Sequence, residues 1–315
     1  MKKYSFLWIL LLAAMLMLSA CGKEETTPPT MEAGEAAQSL QDAATEALEN
    51  GGGITDIMDS INEAARAAAD ADITAAPVQN VDESLFVWSE GEDGAVIQGF
   101  DGEETSIIIP DNINGLPVTE IAEEAFYQSN LTAIELPESV KKIGDSAFYY
   151  CTSLVNISMP GVEEIGAYAF DGCMLLRDVT LPDSLTTIRK NAFASCTSLK
   201  ELSLPSSVVD IYPWAFYASG LETLTVPGSV KEIPGSMLYG CDNLYSVILE
   251  DGCEIIYEDA FSNCPSLTAL YIPESATDID EYFVWDFNES LVVYTPEGSA
   301  AQAAAENLGL SCVNN

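Results

Sequence analysis

The sequence predicts a solenoid: a parallel β-sheet of short strands stacked turn on turn, with short helical turns on the opposite side, a hairpin N-cap and a strand-helix C-cap. Three observations predict it. Phenylalanine recurs at Phe126, Phe148, Phe170, Phe193, Phe216 and Phe261, with Leu238 in the one remaining place, at intervals of 22 or 23 residues. An isoleucine stands five residues before each: Ile121, Ile143, Ile165, Ile188, Ile211, Ile233 and Ile256. Each is followed by a leucine that opens a short alternating run, such as Leu199-Lys-Glu-Leu-Ser-Leu204. Self-similarity at a fixed period of this length is the mark of a repeat architecture.

One repeat reads in physical terms as follows. The run Leu-x-x-Ile-x-Leu is a strand that turns its aliphatic residues inward, and proline (Pro137, Pro160, Pro182, Pro205, Pro227, Pro273) ends it because proline cannot donate to a ladder. Val-x-x-Ile crosses back and a glycine begins the next corner. There Asp145 or Ser146 is placed to cap a single helical turn, on which Ala147, Phe148 and Cys151 share one side. One such unit cannot bury its apolar face, whereas stacked units cover one another. A period of 20–29 residues with leucine at fixed strand positions is the leucine-rich-repeat signature. The finer pattern Ile-Gly-x-x-Ala-Phe-x-x-Cys-x-Ser-Leu, complete from Ile143 to Leu154, resembles the BspA-like family of bacterial surface leucine-rich repeats. Phe193 to Leu199 and Phe261 to Leu267 repeat its second half. Leu238 in place of phenylalanine and Gly220 where the family cysteine is expected depart from it in single turns.

The expected organisation follows from these signals. Residues 116–290 are the repeats. Residues 77–115 form an N-terminal capping region, in which Leu85-Phe-Val-Trp88 and Ala95-Val-Ile-Gln98 flank Glu-Gly-Glu-Asp-Gly as a hairpin. Residues 291–315 form the C-terminal cap, a strand at Leu291-Val-Val-Tyr-Thr-Pro296 and a helix from Ser299 to Asn307 ended by Gly309. Irregular end units are expected, because they must close the exposed core.

The first residues carry an address. Met1-Lys2-Lys3 is a basic start, Phe6 to Leu18 is an apolar run too short to span a bilayer, and small residues follow. Residues 1–20 are therefore expected to be a secretory signal. Leu18-Ser-Ala-Cys21 resembles the lipobox of bacterial lipoproteins, which implies cleavage before Cys21 and a diacylglyceryl anchor on its sulfur. Residues 21–76 are expected to be an acidic Ala/Glu-rich tether. Its stretches 31–50 and 54–71, parted by Gly51-Gly52-Gly53, have helix-forming composition, and Ile54, Ile57, Met58, Ile61 and Ala65 make one helical stripe.

Composition sets function classes aside. The formal charge is −39, with 50 Asp+Glu against 11 Lys+Arg, which repels nucleic acid and anionic headgroups. Histidine is absent, and with it the usual general base and the commonest transition-metal ligand. No catalytic motif, cofactor fingerprint or metal-ligand spacing is present, so no enzyme, cofactor or metal is expected. Glu90-Gly-Glu-Asp93 and Asp278-Ile-Asp-Glu281 lack the spacing of a calcium loop and read as solvated turns. Cys151, Cys173, Cys196, Cys241 and Cys264 share one repeat position. They read as a column of buried small side chains, although disulfides between adjacent turns are geometrically allowed.

Strand residues that point outward form two columns. One runs Ala133, Asn156, Asp178, Glu201, Thr223, Ser246, Ala269; its neighbour runs Glu135, Ser158, Thr180, Ser203, Thr225, Ile248, Tyr271. They turn apolar around Tyr245, Ile248 and Tyr271, the candidate binding patch, since exposed tyrosine is a common interface anchor. Arg177, Arg189, Lys190 and Lys200 fall in adjacent repeats and read as local charge balance. The resemblance implies an exported binding protein, held at the outer face of the bacterial membrane by lipid alone, with a protein or glycan ligand on a host or neighbouring cell. A structural cell-envelope spacer or assembly partner is the alternative.

Overall fold

A computed structural model describes residues 30–32, 35, 36, 38, 39, 42, 43 and 72–314. The signal segment, Cys21 and most of the Ala/Glu-rich stretches lie outside the described residues. Within the expected tether, Thr30–Glu32 is a strand that pairs in parallel with Asp72–Thr74. Met31, the first residue of the expected helical stretch, is thus extended, while residues 35, 36, 38, 39, 42 and 43 are helical.

From residue 79 onward the chain winds as a three-walled solenoid. The first wall is the sheet formed by the leucine runs. Gln79–Asn80, Ser106–Ile108, Ala133–Glu135, Asn156–Ser158 and Asp178–Val179 lie side by side in parallel. The wall continues with Thr223–Val226, Ser246–Leu249, Ala269–Tyr271, Val292–Thr295 and Ser311–Asn314. The crossing-back segments form a second parallel sheet, a wall that the sequence reading did not separate. It begins with the antiparallel hairpin Phe86–Glu90 and Ala95–Phe100, as expected of the N-cap, and runs through Leu116–Ile121, Lys142–Ile143, Glu164–Ile165, Thr187–Ile188 and Asp210–Ile211. Glu232–Ile233, Ile255–Ile256 and Asp278–Ile279 extend it.

Both sheets are interrupted, and on the second wall local chemistry accounts for it. On the second wall, Gly144, Gly166, Arg189 and Tyr212 each donate a backbone N–H to the isoleucine carbonyl of the preceding turn, at 2.7–3.0 Å. Pro234 holds that place in the next turn and has no N–H to give, so the ladder parts between Ile211 and Ile233. On the first wall the gap falls at Leu199–Leu204. The following corner, Phe216 to Leu221, is one residue shorter than Phe193 to Leu199. It brings Gly220 so near the preceding turn that a Cβ there would overlap the Thr197 carbonyl oxygen.

The third wall is made of corners tighter than the helical turns expected there. Residues two before and two after each column phenylalanine take left-handed backbone angles, for example Ser146 (φ 55°) and Tyr150 (φ 57°) around Phe148. Between them each phenylalanine donates to a backbone carbonyl one turn on: Phe148 to Ala169, Phe170 to Ala192 and Phe193 to Ala215 at 2.8 Å, Phe216 to Met237 at 3.0 Å and Phe261 to Phe283 at 3.1 Å. Inside, Phe126, Phe148, Phe170, Phe193 and Phe216 stack face to face, with ring centroids 5.2, 5.2, 5.2 and 6.0 Å apart. That spacing is close to the distance between neighbouring strands, so one ring per turn fills the core continuously. Leu238, Phe261 and Phe283 carry the buried column to the C-terminal end.

The C-terminal cap follows the expected pattern. Ser299 caps the helix Ala300–Asn307, its hydroxyl accepting from the Gln302 N–H, and Gly309 leaves the helix at φ 76°. Ala301 and Ala305 face the core. The last strand, Ser311–Asn314, is an addition: it pairs with Val292–Thr295 and becomes the edge of the first sheet.

Candidate functional site

The outward columns fall on the first wall as the alternation implies. Ala133, Asn156 and Asp178 are paired in register, and so are Thr223, Ser246 and Ala269. At the N-terminal end the column is covered, Ala133 being only 1% exposed. It is exposed at Asp178, Glu201 and Thr223 and half-buried at Ser246 and Ala269. Toward the C-terminal end the adjacent column becomes an apolar ladder: Thr225, Ile248, Tyr271, Tyr294 and Val313 are successive register partners. Ile248 is 41% and Val313 47% exposed. The Tyr271 and Tyr294 rings stack at 4.4 Å and 13°.

Of the three residues singled out from the sequence, Ile248 and Tyr271 are therefore direct neighbours. Tyr245, 49% exposed, stands apart at the entrance to its strand and outside the ladder. Tyr294 and Val313 belong to the ladder and were missed. Counting back from proline finds the first: Tyr-Ile-Pro273 and Tyr-Thr-Pro296 place Tyr271 and Tyr294 alike, whereas counting on from leucine shifts the register by one. Val313 carries no repeat signal at all.

Six copies of the pattern described as "BspA type Leucine rich repeat region" match the sequence, across residues 103–176, 119–242 and 163–290. The chain belongs to this leucine-rich-repeat family. Among solved structures it is similar to the T. pallidum leucine-rich-repeat protein, at 32% identity and a TM-score of 0.55, over 60% of this chain and 91% of that one. It is also similar to a leucine-rich cell surface protein from Faecalibacterium prausnitzii, at 22% identity and a TM-score of 0.46, over 68% of this chain and 76% of that one. A third, from Bacteroides ovatus, is 21% identical with a TM-score of 0.49, over 70% of this chain and 56% of that one. No curated protein matches.

In this BspA-type chain the cysteine column is a structural device. Each thiol donates to the backbone carbonyl of the column residue one turn earlier: Cys151 to Phe126 (2.9 Å), Cys173 to Phe148 (3.1 Å), Cys196 to Phe170 (3.2 Å), Cys241 to Phe216 (3.1 Å) and Cys264 to Leu238 (3.1 Å). The seven described cysteines are free thiols. Burial pushes the Cys241 thiol up to about 12 and those of Cys173, Cys196 and Cys264 well above the ordinary range, so these four thiols are held neutral. The expectation that Gly220 occupies the cysteine place is corrected: Ser219 fills it, buried, with its hydroxyl 3.4 Å from the Cys241 sulfur. Ser129 does the same beside Cys151 at 3.3 Å. Both short corners lose their residue after the column position, not at it.

Ion pairs line the second wall. Arg189 pairs with Glu164 at 2.6 Å, Lys142 with Glu120 at 3.0 Å and Lys231 with Glu254 at 3.4 Å, exposed pairs that contribute little each. Among the described residues, no group of three or more His, Cys, Asp or Glu side chains is placed to hold a metal ion.

Proposed function

We propose that this chain is a bacterial surface protein, lipid-anchored through Cys21, that binds a protein partner with the C-terminal half of its first sheet. Leucine-rich-repeat proteins serve protein–protein interaction generally, and the F. prausnitzii relative is described as a cell surface protein. The observation that carries the reading is the Ile248–Tyr271–Tyr294–Val313 ladder, an apolar strip laid across four neighbouring strands. Tyrosine there supplies contact area at low entropic cost and keeps a polar tip for the rim. The rigid two-sheet frame holds the strip in its binding geometry beforehand, so little ordering is left for the moment of contact.

The test is a binding assay of the full chain against host-cell and neighbouring-cell surface proteins, comparing wild type with the double variant Tyr271→Ala/Tyr294→Ala. Loss of at least about 2 kcal/mol of binding, some thirtyfold in affinity, is expected for paired tyrosine anchors. Tyr257→Ala, on the second wall and 42% exposed, is expected to bind as wild type. If the double variant binds unchanged, the strip is not the interface.

A further inference from the structure

The third wall carries a second set of aromatic side chains, separate from the first-sheet strip. Immediately after the column residues Phe126 to Leu238 stand Tyr127, Tyr149, Asp171, Ala194, Tyr217 and Tyr239. Tyr127 stacks on Tyr149 at 5.5 Å, and Tyr217 on Tyr239 at 6.1 Å. Each pair is widened by other rings. Tyr149 meets Tyr150 at 4.4 Å and the edge of Tyr168 at 6.4 Å; Trp214 meets Tyr217 at 5.2 Å and Tyr239 at 5.6 Å. Between the two clusters lie only Asp171 and Ala194, in a span of three turns or about 15 Å. The result is a notch with aromatic sides and one carboxylate.

Two independent features show that the notch is costly to build. Tyr150, Tyr168 and Trp214 hold left-handed backbone angles of φ 57°, 59° and 66°, which bulky side chains rarely adopt. Other turns fill these corners with residues such as Ser146, Asn191 and Asn263. Asp171 is the second. Solvent still reaches it, yet it is packed closely enough that burial pushes its carboxyl up to about 7, against the opposing hydrogen bond from buried Ser195. Tyr149, Tyr150, Tyr217 and the Cys196 thiol all feel its charge. Lys190 on the same wall lies over the Tyr168 ring at 6.0 Å, so the rings already hold one ammonium. Departures from local rules that concentrate at one place mark function more often than stability.

We infer that the notch at Asp171 is a second binding site, one that takes a cationic group, an ammonium or guanidinium, seated among the tyrosine and tryptophan rings against the carboxylate. Ring faces carry negative potential and attract cations most strongly where water is partly excluded. A cation also supplies the charge partner that an ionised Asp171 otherwise lacks in an apolar setting. The net charge of −39 raises the local concentration of any cation, whether free or on a basic protein. A neutral sugar has use for the rings but does not require the carboxylate to be ionised.

Isothermal titration of the full chain with choline, N-acetyl-lysine amide, N-acetyl-arginine amide and neohexyl alcohol, the uncharged isostere of choline, tests this. Cations are expected to bind and neohexyl alcohol not to. Preference for choline identifies a free ammonium as the ligand, and preference for either amide identifies a basic side chain of a partner protein. Because only ionised Asp171 attracts the ligand, affinity is expected to fall about tenfold from about pH 8 to about pH 6. Asp171→Asn is expected to weaken binding at least about tenfold at the higher pH, with a melting curve that shows the fold intact. Tyr217→Leu, which keeps the carboxylate and removes a ring, is expected to weaken it as well. Equal binding of neohexyl alcohol, undiminished binding by folded Asp171→Asn, or no cation bound at millimolar concentration overturns the proposal. None of these outcomes bears on the first-sheet strip.

Discussion

At the scale of single residues, Asp171 is the group whose environment has the clearest consequence for stability. Its carboxyl titrates near 7 in the fold against an ordinary value of 3.8, so the fold favours the protonated form. The contribution is therefore full below about pH 4 and is lost as pH rises through about 7. Asp171→Asn removes this dependence. At about pH 8 the variant is expected to be more stable than wild type by on the order of 1–3 kcal/mol, and at about pH 4 nearly equal. Urea unfolding at both pH values measures it, and equal stability at the higher pH would contradict a desolvated carboxylate. Asp171 was not legible as special in a chain with 50 acidic residues. What sets it apart is its neighbours, Tyr149 and Tyr150 one turn before and Tyr217 two turns after, which sequence distance separates. The Ser219 position, by contrast, was readable: three residues after Phe216, as Cys196 follows Phe193, provided the count starts from phenylalanine and not from the next leucine.

At the scale of the element, one turn of the solenoid is the unit that matters, because its core side chains pack only against the turns on either side. Phe170 stacks on both Phe148 and Phe193 and is fully buried. Phe170→Ala is expected to cost about 3–5 kcal/mol, since neighbouring rings pinned by their own backbone bonds cannot collapse into the space. Denaturant unfolding tests this; a loss under about 1 kcal/mol would mean that the column relaxes far more than the ladder of 2.8 Å bonds allows. The leucine runs were read as strands because four to six alternating residues carry a period. The second wall was not, because its strands are mostly two residues long, such as Lys142–Ile143, and two residues have no period to read. Its existence is set by register between turns, one isoleucine beside the next. The break at Pro234 was present in the sequence, but its meaning depends on knowing that Gly144 and its equivalents donate at that place.

At the scale of the whole molecule, the two ends decide whether a stack of identical layers stays a single object. The hairpin Phe86–Glu90/Ala95–Phe100 closes one end and the helix Ala300–Asn307 with strand Ser311–Asn314 the other. Truncation after Thr295 removes both C-terminal elements, bares the Val292–Thr295 edge and uncovers Val293, now fully buried. The shortened chain is expected to melt at lower temperature and to scatter more light than the full chain at equal concentration, because an open edge pairs with others. Unchanged melting and scattering would show that the cap is dispensable.

The sequence by itself determined the repeat, its period, the inward phenylalanine, isoleucine and cysteine columns and the family, because each is a local chemical requirement restated every 22 or 23 residues. Only the tertiary structure decided what the surface offers. Stacking puts Tyr271 against Tyr294 and sets Asp171 between two aromatic clusters, and both pairings depend on which turns lie side by side and on where a corner is one residue short. Inward positions repeat because every turn must bury the same face; outward positions are free to differ, and their meaning comes from the neighbours that winding assigns them.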